Sequence, residues 1–232
     1  MAVVPELFES LKNMHIFAKL NDREIEKVIS KIIVKKYRQD EVILWQDDTN
    51  SYMYLVISGR VKVVQTTEDG KEIIRAIHNA GDSFGELSLL DNKTSPAEVK
   101  AMQSTTAAII SKDNFFEIIH TQGKVIDNLL LMFCGRLRDS WDRVEMGENK
   151  SAIQRITILF HQLSLTYGTP ITEGILLNIR LTHHTLASMT GMTRETVTRG
   201  LDLLQKNTFI KIRRPDRKII LLPGFEKVGI VS

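Results

Sequence analysis

The chain carries one cysteine, Cys134, in 232 residues. A single thiol cannot close an internal disulfide, which fits a reducing cytoplasm. It also excludes a four-thiolate iron–sulfur or zinc centre built from this chain alone. No segment approaches the about 18 consecutive apolar residues that a bilayer span needs, so no membrane role is expected. The N-terminus, MAVVPELFESLK, lacks a basic start, an apolar core and a small-residue cleavage site, so no secretion signal is expected. The six histidines form neither an H-x-H nor an i,i+4 pair. A metal enzyme on a jelly roll would need an H-x-H with a further Glu and His on facing strands, and the strand region offers only His78. No metal site and no catalytic constellation is expected, and the chain shows neither internal repeats nor low-complexity tracts.

What is present is globular. Hydrophobic residues make up 43% and charged residues 25%, and the length suits one large domain or two ordinary ones. The net charge of +3 is unevenly spread: Arg180 to Lys218 holds nine Lys/Arg against three acids, a net of +6, which leaves −3 for the remainder. A basic C-terminal segment on a mildly acidic body is the electrostatic footprint of a nucleic-acid binder, although a solvated basic surface has the same composition.

The first forty residues read as short helices, with Asn21-Asp-Arg-Glu24 as a capping box before Ile25, Val28 and Ile29. From about Ile33 to Ser111 the pattern becomes short β-branched runs: EVILW, YMYLVIS, RVKVVQTT, KEIIRAI, AEVKAM and TAAIIS. Turn formers separate them, and Asp69-Gly70 marks a hairpin. Many short strands predict an antiparallel jelly roll over 1–112. After Asp113 the period is helical to about Met146. Ile126, Leu130, Phe133, Leu137, Ser140 and Val144 are spaced 4-3-4-3-4, the seam of a parallel coiled-coil dimer, or alternatively one stripe of a helix lying on the sheet. The segment 113–146 is therefore read as a long dimerisation helix. Gly147 stops it, a hinge falls at about Gly147–Ser151, and Ser151-x-x-Gln154 caps the next apolar run, Ile153, Ile156, Leu159, Phe160 and Leu163.

Residues 147–232 then offer a strand-like ILLNIRL, two short helices and FIKIRRPDRKIILLP, two β-runs joined by Arg214-Pro-Asp-Arg217. Thr182 caps HHTLASM, Gly191 supplies a tight turn, and Thr193 caps a second helix. At 100° per residue Val197, Leu201 and Leu204 face inward, while Arg194, Glu195, Thr198, Arg199 and Asp202 face out. That is the layout of a recognition helix followed by a basic wing. Arginine suits the paired acceptors of guanine, and glutamate can accept from the cytosine amino group. Taken alone, Glu195 and Arg199 would also make an ordinary exposed ion pair of about 0.3–0.5 kcal/mol.

The stretch LTHHTLASMTGMTRETVTRGLDLLQKNTFIKI resembles the C-terminal winged helix-turn-helix of the CRP/FNR family of bacterial transcription regulators. The resemblance extends to nearly the whole chain: jelly-roll sensor, long helix, hinge and winged helix-turn-helix, an α+β architecture. It implies a cytoplasmic, nucleoid-associated homodimeric activator whose partners are double-stranded DNA and RNA polymerase. Arg194, Glu195 and Arg199 match base-reading positions, which implies a TGTGA-like inverted repeat with half-sites about 10–10.5 bp apart. Thr182, Thr193, Thr198, Arg213 and Arg214 complete the implied DNA-facing set, and Ile126, Leu130, Phe133, Leu137 and Val144 the implied dimer interface.

Gly81-Asp-Ser-Phe-Gly-Glu-Leu-Ser-Leu-Leu90 resembles the family's phosphate-binding cassette. Cyclic-nucleotide binders of that family hold the ribose hydroxyl with the glutamate, here Glu86, flanked by Gly85 and Leu87. They pair the cyclic phosphate with an arginine just before the next strand, where this chain has Ser95 and Pro96. Losing a charged partner for a buried phosphate costs ~2–5 kcal/mol, or about 30- to several-thousand-fold in affinity. Ser140 and Trp141 stand where the family places two hydroxyl residues against the adenine, and an indole there would crowd the base. The resemblance therefore implies an effector pocket of unknown or lost specificity: either it takes a small molecule, with cyclic AMP disfavoured and no other cofactor indicated, or the chain acts without an effector and Glu86 simply stabilises the cassette. A cyclic-AMP-responsive regulator with an atypical pocket remains the alternative. A cyclic-nucleotide signalling module without a DNA role would leave the helix-turn-helix unexplained.

Overall fold

The short β-branched runs become two four-stranded antiparallel sheets. The computed structural model describes residues 3–147 and 151–228, and the chain forms two compact units, Met1–Asp139 and Ser140–Ser232. In the first unit, helices α1 (Val3–Lys12) and α2 (Asp22–Ile29) precede strands β1 (Ile32–Tyr37), β2 (Val42–Leu44), β3 (Tyr52–Ser58), β4 (Arg60–Thr66), β5 (Glu72–Asn79) and β6 (Ser83–Phe84). A short α3 (Glu86–Asp91) leads to β7 (Glu98–Ala101) and β8 (Thr105–Ser111), followed by α4 (Lys112–Thr121) and α5 (Gly123–Gly147). The sheets run β1-β8-β3-β6 and β2-β7-β4-β5, the two layers of a jelly roll.

Alternation along the strands explains the layering. On β3, Met53 and Leu55 join a helical core with Leu11, Phe17, Ile25, Phe115 and Leu129, while Tyr54 and Val56 join Val61, Phe84 and Val99 between the sheets. With both faces covered, YMYLVIS reads as a nearly continuous apolar run. The β4–β5 hairpin closes where Asp69-Gly70 places it: Thr66 pairs with Glu72, and Gly70 N–H donates to Thr67 O at 2.8 Å. Asn21 and Glu24 form the capping box that opens α2.

The helical segment after Asp113 is two helices, not one. The Gln122 backbone (φ −125°, ψ 81°) leaves the helical region and separates α4 from α5. Helix α5 then divides its faces. Val125 and Leu129 are buried, and Met132 and Phe133 pack against the same core. Asn128 is buried beside them, and its Nδ2 donates to Ile16 O at 3.1 Å and Ala18 O at 2.8 Å. One amide thus ties α5 to the N-terminal helical layer. Asn128→Ala strands both carbonyls, at a cost of roughly 1–3 kcal/mol. Urea denaturation of the full chain measures this, and an unchanged midpoint contradicts it.

In the second unit, Ser151 and Gln154 form the capping box of α6 (Ala152–Tyr167). Strands β9 (Gly168–Ile171) and β10 (Gly174–Leu177) follow, then α7 (His183–Thr190), α8 (Arg194–Lys206), β11 (Ile210–Ile212) and β12 (Ile219–Leu221). The four strands form one sheet in the order β11-β12-β10-β9. Of the hinge expected at Gly147–Ser151, residues 148–150 lie outside the described residues.

Candidate nucleic-acid interface and effector site

Caps set the two helices of the turn. Thr182 Oγ1 accepts from Thr185 N–H at 3.0 Å at the start of α7, and Thr193 Oγ1 accepts from Thr196 N–H at 3.2 Å at the start of α8. Each satisfies an otherwise orphaned amide of a first turn. Gly191, at φ +70°, ends α7 and reverses the chain. Val197, Leu201 and Leu204 are buried, whereas Arg194, Glu195, Arg199 and Asp202 are exposed and Thr198 is half-buried. The polar face expected from the sequence is thus one solvent-facing surface.

Its charges suit hydrogen bonding to bases. Hydrogen bonds from the backbone of Glu195 and from Thr193 hold the Glu195 carboxyl below the usual carboxylate range. Arg194 and Arg199 add to this through their charge alone. Ionised at neutral pH, Glu195 is purely an acceptor, the requirement for reading a cytosine amino group.

The wing sorts its cations into two kinds. Lys211 Nζ lies 2.5 Å from Glu173, Lys218 Nζ donates to Asn178 Oδ1 at 2.6 Å, and Arg213 grips both oxygens of Asp216. Arg214 and Arg217 stand exposed at the turn. Sequence reasoning grouped Arg213 with Arg214. The structure gives Arg213 a bracing contact across the hairpin turn and leaves Arg214 facing solvent.

In the first unit the cassette is built around a buried carboxylate. Gly85 sits at φ +87°, and a Cβ there would come within 2.9 Å of Tyr52 O, so the turn requires glycine. Asn50 Nδ2 donates to Gly85 O at 2.8 Å and to Tyr52 O at 2.6 Å, fixing the turn to β3. Glu86 is 1% exposed, and Leu87 beside it is exposed. Arg136 on α5 pairs with Glu86 Oε1 and donates through Nη2 to Ser83 O at 2.5 Å. The other oxygen, Glu86 Oε2, is buried and accepts no hydrogen bond from any described residue. Sequence reasoning missed Arg136, which sits 50 residues from its partner on a helix read for its apolar seam.

The remaining expected pocket residues differ in their exposure. Ser95 is buried with its hydroxyl donating to Ala97 O at 2.8 Å, and Pro96 is exposed. Ser140 and Trp141 are exposed residues of α5 in the second compact unit. Along the expected dimer seam Ile126, Leu130, Leu137 and Val144 are exposed, but Phe133 packs against the core of its own unit.

The Arg213 guanidinium, through hydrogen bonds, holds the Asp216 carboxyl at about 2, below its ordinary 3.8. A depressed folded value means the contact contributes above the ordinary carboxylate pKa and is lost as pH falls through about 2. Carbon-detected NMR titration should place the Asp216 midpoint near 2, and Arg213→Ala should move it up toward 3.8. An unchanged midpoint in that variant contradicts the pairing.

Both domains match known families. Residues 34–122 match the cyclic nucleotide-binding domain family, and residues 154–226 match the Crp-like helix-turn-helix domain family. A cyclic AMP receptor protein from Thermus thermophilus is 27% identical, covering 87% of this chain and 90% of its own length. A global nitrogen regulator from Synechococcus elongatus is 26% identical, covering 78% of this chain and 82% of its own. The solved structure of a CooA variant from Carboxydothermus hydrogenoformans aligns with a TM-score of 0.75 at 25% identity, covering 86% of this chain and 88% of that one. With an effector-binding domain ahead of a helix-turn-helix, the chain belongs to the CRP/FNR family of non-enzymatic, DNA-binding transcription regulators.

Proposed function

We propose that this protein is a homodimeric activator that reads a TGTGA-like inverted repeat and responds to a small molecule other than cyclic AMP. The observation that carries the DNA reading is the polar face of α8, where exposed Arg194, Glu195 and Arg199 flank half-buried Thr198 opposite a buried apolar side. Arg194 and Arg199 would contact guanines, Glu195 a cytosine of the complementary strand, and Arg214 a phosphate. Thr182 and Thr193 would present first-turn amides and hydroxyls to the backbone.

Dimerisation is supported by the exposed stripe of Ile126, Leu130, Leu137 and Val144, each more than one-third accessible. Large apolar side chains repeating along a helix call for a partner surface, and regulators of this family bind DNA as dimers. RNA polymerase would be the partner of a DNA-bound activator, in the bacterial cytoplasm.

The effector reading rests on Glu86. Its Oε2 offers a buried acceptor to a ligand hydroxyl or amine, while Ser95 supplies no charge for a phosphate. The same free acceptor favours the second reading, in which cyclic AMP binds through a ribose hydroxyl despite the missing arginine.

Selection of duplexes from a random pool by the full chain, with and without cyclic AMP, tests both readings. A TGTGA-like palindrome enriched equally in the two arms is expected. Enrichment that depends on the nucleotide overturns the effector assignment, and no enrichment overturns the DNA reading. On the selected site Arg194→Ala should cost roughly 1–3 kcal/mol and relax one base position, whereas Arg214→Ala should weaken all sequences alike. Equal losses on specific and scrambled DNA for both variants contradict these roles.

A further inference from the structure

One contact joins the two helices of the turn at the centre of the reading face. His183 Nδ1, in the first turn of α7, lies 2.8 Å from Thr198 Oγ1 on α8. The same Thr198 hydroxyl donates to Arg194 O, one turn back, at 2.9 Å. A hydroxyl has one hydrogen. If that hydrogen goes to the Arg194 carbonyl, His183 must donate its Nδ1–H to the oxygen. If the imidazole carries its proton on Nε2, the hydroxyl hydrogen goes to Nδ1 instead. Either arrangement keeps the hydrogen inside the protein.

We infer that Thr198 reads DNA with its methyl group, contacting the 5-methyl of a thymine, and that His183 is the positioning residue that turns its hydroxyl inward. The inference rests on the proposed DNA reading and adds a base preference that neither arginine nor Glu195 can supply. Three features lead to it. Thr198 lies between Arg194, Glu195 and Arg199 in helical projection, so whatever it presents meets the middle of the contacted sequence. With Oγ1 held against the helix backbone and His183, the branch of the tetrahedral Cβ left for contact is Cγ2. In the major groove only thymine offers a methyl group, and threonine methyls are among its apolar partners.

The inward hydroxyl also separates the effect of the two atoms of Thr198. Removing the oxygen leaves the contacting methyl, and removing the methyl leaves only an oxygen already engaged by the protein. The role of His183 is likewise separable from mere support of α7. Asparagine places an amide nitrogen where the imidazole Nδ1 sits, so it can repeat the contact without the ring.

The test uses the full chain and the duplex it selects from a random pool. Each thymine is replaced singly by deoxyuridine, which removes only the 5-methyl. One thymine per half-site is expected to show about a fourfold loss of affinity on replacement, the factor for burying one methyl group at ~0.8 kcal/mol. Thr198→Val should keep that penalty and Thr198→Ser should abolish it. His183→Ala should reduce the penalty, and His183→Asn should restore it. A uracil penalty that persists in Thr198→Ser, or the absence of any uracil-sensitive thymine in a sequence-selective protein, overturns the inference. A chain that selects no sequence overturns the DNA reading itself, a distinct result.

Discussion

The polar face of α8 is fixed by the side of the helix that never meets solvent. Val197, Leu201 and Leu204 are buried, and a Cβ added at Gly200 would fall 2.5 Å from Ile156 Cδ1, so α6 and α8 approach closely there. Burying each large aliphatic side chain is worth about 1.5–3 kcal/mol. An exposed ion pair on the opposite face is worth about 0–1 kcal/mol. The apolar side therefore decides the rotation of the helix about its axis. The polar side is presented as a consequence, with Arg194, Glu195 and Arg199 held in fixed relation without having to pair with one another. The His183 contact extends that pre-organisation from the backbone to a side-chain rotamer.

The first unit uses a different constraint. A carboxylate as buried as Glu86 requires a charged partner, since an isolated one would be strongly disfavoured. That partner comes from α5, the helix that also carries the exposed apolar stripe. The cassette and the long helix are thereby joined through the Arg136–Glu86 ion pair and the hydrogen bonds of Ser83 to Arg136 and Met132, with one carboxylate oxygen left over. A ligand that engages Glu86 acts on the residue that holds α5, and it shifts a conformational equilibrium only insofar as it prefers one arrangement of that pair.

Local chemistry was legible in the sequence, and long-range pairing was not. The caps at Asn21, Ser151, Thr182 and Thr193 involve residues three apart, so the chain order itself displays them. The β-branched runs that became β3, β4, β5 and β8 were readable because turn formers separate them. Strand β6 is only two residues long, too short to show a period, and β9 contains Pro170, a weak strand former. The break at Gln122 was masked because the helical period runs on past Gly123, whose stop signal was not used. Arg136 was unreadable as the partner of Glu86 because nothing local signals a pair 50 residues apart. Phe133 fitted the heptad seam equally well as a core residue, and only the packing of α5 into the core of its own unit separated the two uses. The wing showed five cations, but it took the hairpin geometry to bring Asp216 against Arg213 and leave Arg214 at the tip.

In the proposed complex, two copies of the α8 face enter successive major grooves of a palindrome. Methylation protection of guanine N7 on the selected duplex tests it most directly, because that atom lies in the major groove and is the acceptor an arginine occupies. Two clusters of protected guanines are expected on one face of the duplex, about 10–10.5 bp apart and related by twofold symmetry. Binding that leaves every N7 reactive, or protects a single cluster, would contradict it.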